Sequence, residues 1–185
     1  MYLCKIPGLA EHFIYSNDDM LPINNTSVDD FFTKDGLPIY ELVHRSNAKR
    51  TFRLQCKNSY KLSAKLTNYK NDNVHYFYIR HSMSPLLKSY CDDIHVKAGD
   101  EIFKRCTKFR EPWNFTQYLF SDYILMNNNA VLDKMNLLYV TVKDSNLINL
   151  INTSTAKIIC INDANTKNFS SRYNTLQTAL RQKYP

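Results

Sequence analysis

LLYVTVKDSNLINLINTSTAKIICIN, residues 137–162, starts and finishes in runs of β-branched and apolar residues. LLYVTV (137–142) and AKIICIN (156–162) each read as a short buried strand. Working outward, FTQYLFSDYILM (115–126) reads as an apolar helix, and SSRYNTLQTALRQKYP (170–185) as a closing one. From Phe52 to Leu66 the period is helical, with Cys56 and Tyr60 on one face and Leu62 and Leu66 repeating four apart. HFIYS (12–16) and HYFYIRHS (75–82) read as further strands, HFIYS as a buried one. SPLLKSYCDD (84–93) reads as a helix opening, with Ser84 as N-cap and Pro85 at the first helical position. Residues 20–35 read as a loop with a short helix, VDDFF, before the turn KDGLP at 34–38. Strands alternate with helices and nothing repeats in tandem, which argues for α/β layers.

Composition bounds the function. The chain has 185 residues, 44% of them hydrophobic, enough for a real core in one domain. Aromatics reach 13%, with 13 Tyr and 10 Phe, while Gly is scarce at 3. The balance of 24 basic and 17 acidic residues leaves +7, which favours anionic partners. The basic residues are scattered, so no concentrated nucleic-acid arm exists. Five cysteines at wide spacings contain no CxxC pair, which fits reduced thiols and a cytoplasmic setting. The N-terminus MYLCKIPGLAEH reads as no signal peptide, and no apolar run nears the ~20 residues of a membrane span. With glycines only at 8, 36 and 99 there is no P-loop and no dinucleotide fingerprint. GxSxG and HExxH are also absent, and His75 with His81 does not match a zinc pattern.

The chemistry-bearing candidates cluster at the ends of predicted strands. In EHFIYSNDDM (11–20) a strand runs into Asn17, Asp18 and Asp19. Adjacent carboxylates repel unless a proton or cation compensates them, so NDD reads as a metal or phosphate-transfer site; a solvated Asx turn is the plainer alternative. His81, after a strand and before a Pro-containing helix start, is a candidate base for a hydroxyl proton, or simply a capping histidine. Arg110, in KFREPWNFTQ, stands at the entrance to an apolar helix, where a guanidinium suits phosphate; a surface ion pair is the alternative. Asn162 and Asp163, in CINDAN, read as turn chemistry past a strand end.

Four stretches, in order, carry a resemblance: KIPGLAEHFIYSNDDM, VDDFFTKDGLP, RHSMSPLLKSYCDD continuing to FREPWNFTQYLFSDYILM, and KIICINDAN. Together they resemble the Stealth family of sugar-1-phosphate transferases, which includes capsular polysaccharide phosphotransferases. The resemblance implies a Rossmann-like layered sheet with flanking helices, here a partial catalytic domain occupying 1–185 as a single unit. It implies transfer of a hexose- or hexosamine-1-phosphate from a nucleotide-sugar donor to the hydroxyl of an oligo- or polysaccharide acceptor. Under it, Asp18 and Asp19 match the acidic pair and would hold a divalent metal, Mg²⁺ or Mn²⁺. His81 matches the family's histidine, Arg110 would hold phosphate, and Asn17, Asn114 and Gln117 would make polar contacts to substrate. It further implies peripheral association with the inner membrane or a capsule assembly complex, and no nucleic-acid partner. The family's first region and its tail motif have no counterpart between Met1 and KYP, so the chain reads as a shortened form. A non-catalytic interaction module and a basic nucleic-acid-binding module remain the rival readings.

Overall fold

A computed structural model describes residues 2–45, 47–70, 76–163 and 167–184. In chain order the elements are β1 (His12–Tyr15), β2 (Met20–Pro22), β3 (Ile39–Tyr40), β4 (Leu42–Arg45), α1 (Thr51–Thr67), β5 (Tyr76–Ile79) and β6 (Ser84–Leu87). There follow α2 (Lys88–Lys104), α3 (Tyr118–Met126), β7 (Val131–Leu132), β8 (Leu137–Thr141), α4 (Leu147–Thr153), β9 (Ile158–Asn162) and α5 (Phe169–Lys183). Two 3₁₀ turns, Leu3–Lys5 and Val28–Asp30, complete the set. Helices and strands are thus mixed as expected. The described strands form one three-stranded and three two-stranded sheets, not one continuous layered sheet.

The chain divides into two compact units. The first comprises residues 1–15, 31–80 and 84–134; the second comprises 16–30, 81–83 and 135–185. In the first unit α1 packs on α3 and β5. α3 is buried nearly all round because its sequence, YLFSDYILM, has no polar face to give to water. α1 contributes Cys56, Tyr60 and Leu62 from its inner side.

Local structure departs from expectation in this unit. SPLL is a strand, not a helix start: Ser84–Leu87 pair antiparallel with His12–Tyr15, and the helix begins at Lys88. All four residues of β6 are buried, and this burial together with pairing to β1 outweighs the N-cap preference of Ser84. Pro85 is tolerated because a two-stranded sheet has only edges; its carbonyl accepts the Tyr40 hydroxyl at 2.9 Å. β1 itself is half-exposed, not buried, with Ile14 turned toward solvent. The expected strand 75–82 is realised as β5; His75 lies outside the described residues, as does the last residue of the closing helix, Pro185. The KDGLP turn forms with Gly36 at φ +79°, a conformation glycine takes without Cβ strain.

The second unit is built on the sheet β2-β9-β8. β8 and β9 run parallel, joined by a crossover through α4, and β2 pairs antiparallel on the other side of β9. β9 carries the isoleucines of AKIICIN into the middle of the sheet. Its core gathers Val140, Leu147, Ile151, Ile159, Ile161 and Ala179, so α4 and α5 cover the sheet through aliphatic contacts. β2 is a strand that sequence pattern does not reveal: three residues ending in proline pair with Ile158–Cys160.

Candidate functional site

The antiparallel pairing of β2 decides where the acidic pair goes. Asp18 and Asp19 do not end a strand: they occupy the turn that precedes β2, closed by Met20 N–H donating to the Asn17 carbonyl at 3.3 Å. Because Met20 lies opposite Cys160, the start of β2 lies beside the end of β9. Ile161 N–H donates to the Asp19 carbonyl at 2.8 Å and extends that pairing by one residue. The acids therefore reach the carboxyl ends of the parallel pair β8 and β9, the place where parallel α/β sheets collect ligands.

His81 belongs to the same unit. Its Nε2 lies 3.2 Å from Asp19 Oδ2. A carboxylate only accepts, so Nε2 carries a proton, and the neutral tautomer with that proton has its lone pair at Nδ1. Cys160 donates its S–H to the same Oδ2 at 3.5 Å. Burial, and next the charge of Asp19, push the Cys160 thiol up to about 12. The thiol therefore stays protonated at neutral pH and serves Asp19 as a donor. Burial raises the Tyr139 hydroxyl too, with Cys160 and then Asp19 adding to the effect.

The other oxygen, Asp19 Oδ1, is buried with no hydrogen-bond partner. An orphaned carboxylate oxygen beside an imidazole fits a cation, and ligand atoms of Asp19, His81 and Cys160 lie within 4.8 Å of one another. With the thiol protonated, the usable donors are oxygen and nitrogen. That set suits a hard divalent ion bound chiefly through carboxylate.

Asp18 and Asp19 also edge a cavity of about 230 Å³ inside the second unit. Its walls are apolar, from Leu21, Val142, Ile161, Leu176 and Leu180, and Asp163 and Arg172 join the polar edge. A larger open depression of about 920 Å³ lies by the amino end of β9. Its lysines already have partners: Lys157 pairs with Asp30 at 2.6 Å, and Lys183 donates to Asn24 at 2.9 Å.

No protein-family model matches the chain. It is 27% identical to the capsular polysaccharide phosphotransferase WcwK of Streptococcus pneumoniae over 191 aligned positions, covering 86% of this chain and 58% of that one. It is 26% identical to the exopolysaccharide phosphotransferase cps2G of Lactiplantibacillus plantarum, covering 99% of this chain and 64% of the relative. A stretch of 36 residues, 20% of this chain and 11% of the relative, is 53% identical to the receptor polysaccharide phosphotransferase WefC of Streptococcus oralis. Over most of its length the chain is thus similar to proteins named capsular and exopolysaccharide phosphotransferases. It spans about three fifths of the length of the first two, 58% and 64%.

Among the residues singled out from sequence, the structure brings Asp19 and His81 into contact and sets Asp18 beside Asp19 at the cavity edge. Asn17 supplies the carbonyl of the turn that presents them. Arg110, Asn114 and Gln117 share a different cavity, of about 280 Å³, within the first unit. There the Arg110 guanidinium sits 5.9 Å from the centre of the Phe52 ring. Asn114 is engaged with its own loop: its amide donates to the Arg105 carbonyl (2.5 Å) and Thr107 Oγ1 (2.9 Å), and accepts from Glu111 N–H (2.7 Å). Sequence reading missed Cys160 and passed over Asp163 as a turn residue. Cys160 lies mid-strand in an apolar run and carries no local signal; only the register against Met20 brings it to Asp19. No helix among the described residues is long and apolar enough to cross a membrane.

Proposed function

We propose that this chain is a Stealth-type sugar-phosphate transferase domain acting in capsular or exopolysaccharide synthesis. The reaction is transfer of a hexose- or hexosamine-1-phosphate from a nucleotide-sugar to a hydroxyl of an oligo- or polysaccharide. The acceptor oxygen bonds to the phosphorus that carries the sugar. The bond from that phosphorus to the nucleoside monophosphate breaks, and the departing oxygen keeps the electron pair. The hydroxyl proton passes to His81 Nδ1, the nitrogen left free because Nε2 faces Asp19. Asp19 fixes the ring's tautomer and holds the imidazolium that forms. Mg²⁺ or Mn²⁺ held by Asp18 and Asp19 would neutralise charge on the phosphoryl oxygens. Arg110, with Gln117 nearby in its cavity, is assigned to phosphate. In this reading β8–α4–β9 with α5 is a partial Rossmann-like layer that presents the site, and the work is done in the cytoplasm.

The single observation that carries the reading is the Asp19–His81 pair at the carboxyl ends of β8 and β9, in a chain whose curated relatives are named polysaccharide phosphotransferases. The test is release of UMP from a UDP-hexosamine, with an acceptor oligosaccharide present, followed together with the new diester by phosphorus NMR. Divalent-metal-dependent release is expected. His81→Ala should lower it by about 10²–10⁴-fold, the usual weight of a positioned base, with circular dichroism unchanged. Release at a near wild-type rate in His81→Ala overturns the role of the pair. Absence of any release by the wild-type chain overturns the enzyme reading itself.

A further inference from the structure

The stretch from Phe103 to Trp113, within the first unit, shows water an unusual amount of aromatic surface. Phe103 lies in the last turn of α2 and is 71% exposed; Phe109 is 70% exposed and Trp113 50%. Rings this exposed protrude from the surface instead of packing beneath it. Hydrogen bonds draw the loop together. Cys106 N–H donates to the Phe103 carbonyl at 3.0 Å, Arg105 Nη1 to the Trp113 carbonyl at 3.3 Å, and Asn114 Nδ2 to the Arg105 carbonyl at 2.5 Å. The Trp113 backbone is thereby tied to Arg105, two residues from Phe103. Cations stand between the rings. Arg105 is committed to the loop, with Glu101 at 3.4 Å and the centre of the Phe115 ring at 4.9 Å. Lys104 and Lys108 have no acidic partner among the described residues. Lys108 Nζ lies 5.5 Å from the centre of the Phe109 ring.

We propose that this loop is a membrane-contact surface that seats the protein on an anionic lipid bilayer. The inference stands apart from the transfer reading: Phe103, Lys104 and Trp113 line none of the cavities described above. Aromatic side chains, tryptophan above all, settle where headgroups meet acyl chains. Basic side chains beside them are drawn to the negative surface of a bilayer rich in anionic lipid. A lysine stem lies along apolar surface while its ammonium stays at the level of the headgroups. Rings pointing inward with ammoniums beside them therefore match the bilayer in chemistry and in order of depth. The chain's net charge of +7 acts in the same direction. The contact is a superficial one, since no helix among the described residues is long and apolar enough to cross a membrane. A protein partner matches less well, because the buried middle of protein interfaces is poor in lysine. A single-stranded nucleic acid lays its bases in a groove, and rings that protrude supply no groove walls.

Trp113 is the chain's single tryptophan, so its fluorescence reports on this loop directly. The test mixes the purified chain with vesicles of phosphatidylcholine alone, with vesicles that also contain phosphatidylglycerol, and with a single-stranded oligonucleotide. Co-sedimentation is expected with the phosphatidylglycerol vesicles and little with the neutral ones. Trp113 emission should move to shorter wavelength on binding and be quenched by brominated acyl chains. Lys108 and Phe109 also edge the cavity that holds Arg110, so the variants spare them. Phe103→Ala and Lys104→Glu should each weaken vesicle binding roughly tenfold, and added salt should weaken it as well. Both side chains are exposed, so the variants keep their fold, and circular dichroism confirms it. The inference is overturned if phosphatidylglycerol vesicles are not bound, or if neutral vesicles bind equally well. It is also overturned if binding leaves Trp113 emission unchanged, if both variants bind as wild type does, or if the oligonucleotide shifts the emission and the vesicles do not. UMP release with a soluble acceptor, assayed without vesicles, tests the transfer reading alone, so either reading can fail without the other.

Discussion

Asp122 offers the sharpest physical test of the fold. It lies on α3 in the core of the first unit with no exposed surface, and neither carboxylate oxygen has a hydrogen-bond partner. The hydroxyl of Tyr40 donates instead to the Pro85 carbonyl. Burial alone holds the Asp122 carboxyl well above the usual carboxylate range. The folded chain therefore keeps a proton that the unfolded chain releases above pH ~3.9. Stability from this group is fully present below that value and is lost as pH rises toward the folded one. The limiting slope is about 1.4 kcal/mol per pH unit, reached where the unfolded chain is ionised and the folded one still protonated. Asp122→Asn has nearly the same shape and no titration, so it removes this slope and nothing else of comparable size. Urea unfolding, followed by circular dichroism from about pH 4.5 to 7, measures the difference between the two proteins, in which other carboxylates cancel. The variant should gain on wild type as pH rises, by at most about 1.4 kcal/mol for each unit of pH. Stability curves that run parallel across the range would refute a protonated, unpaired Asp122.

The other expectations are more local. Cys106 is the exposed thiol, while Cys4, Cys56, Cys91 and Cys160 are buried, and burial pushes Cys56, Cys91 and Cys160 up to about 12. A thiol reagent at mildly alkaline pH should therefore modify Cys106 quickly and the others only on unfolding; rapid labelling of Cys160 would contradict its place as a donor to Asp19. Gly36→Ala forces φ near +79° on a residue with a Cβ, and that carbon would lie 2.7 Å from His12 Nε2. A loss of about 1–2 kcal/mol from the backbone alone should show in the urea midpoint, with the contact adding to it. Asn114→Ala removes the bonds that close the 105–114 loop, so limited proteolysis should cut there faster while the helices stay intact.

Helices α1 and α3 and strands β8 and β9 were legible in the amino-acid sequence, because their signals are local. The period of α1, the unbroken apolar run of α3 and the β-branched clusters of β8 and β9 each state their conformation within a dozen residues. The acidic pair and His81 were also visible as chemistry, and the relatives' names agree with the class of reaction read from their motifs. Pairing across the chain was not legible. SPLL carries a good helix-start pattern and became a strand because β1 buried it. Residues 20–22 looked like loop and became the strand that places Asp19. Asp19 meets a histidine 62 positions away and a cysteine 141 positions away. Those meetings depend on the register of β2 against β9, and a slip of one residue would turn every side chain on β2 to the other face. Register is chosen by the core that the whole second unit buries, so only the assembled sheet determines which groups share a site.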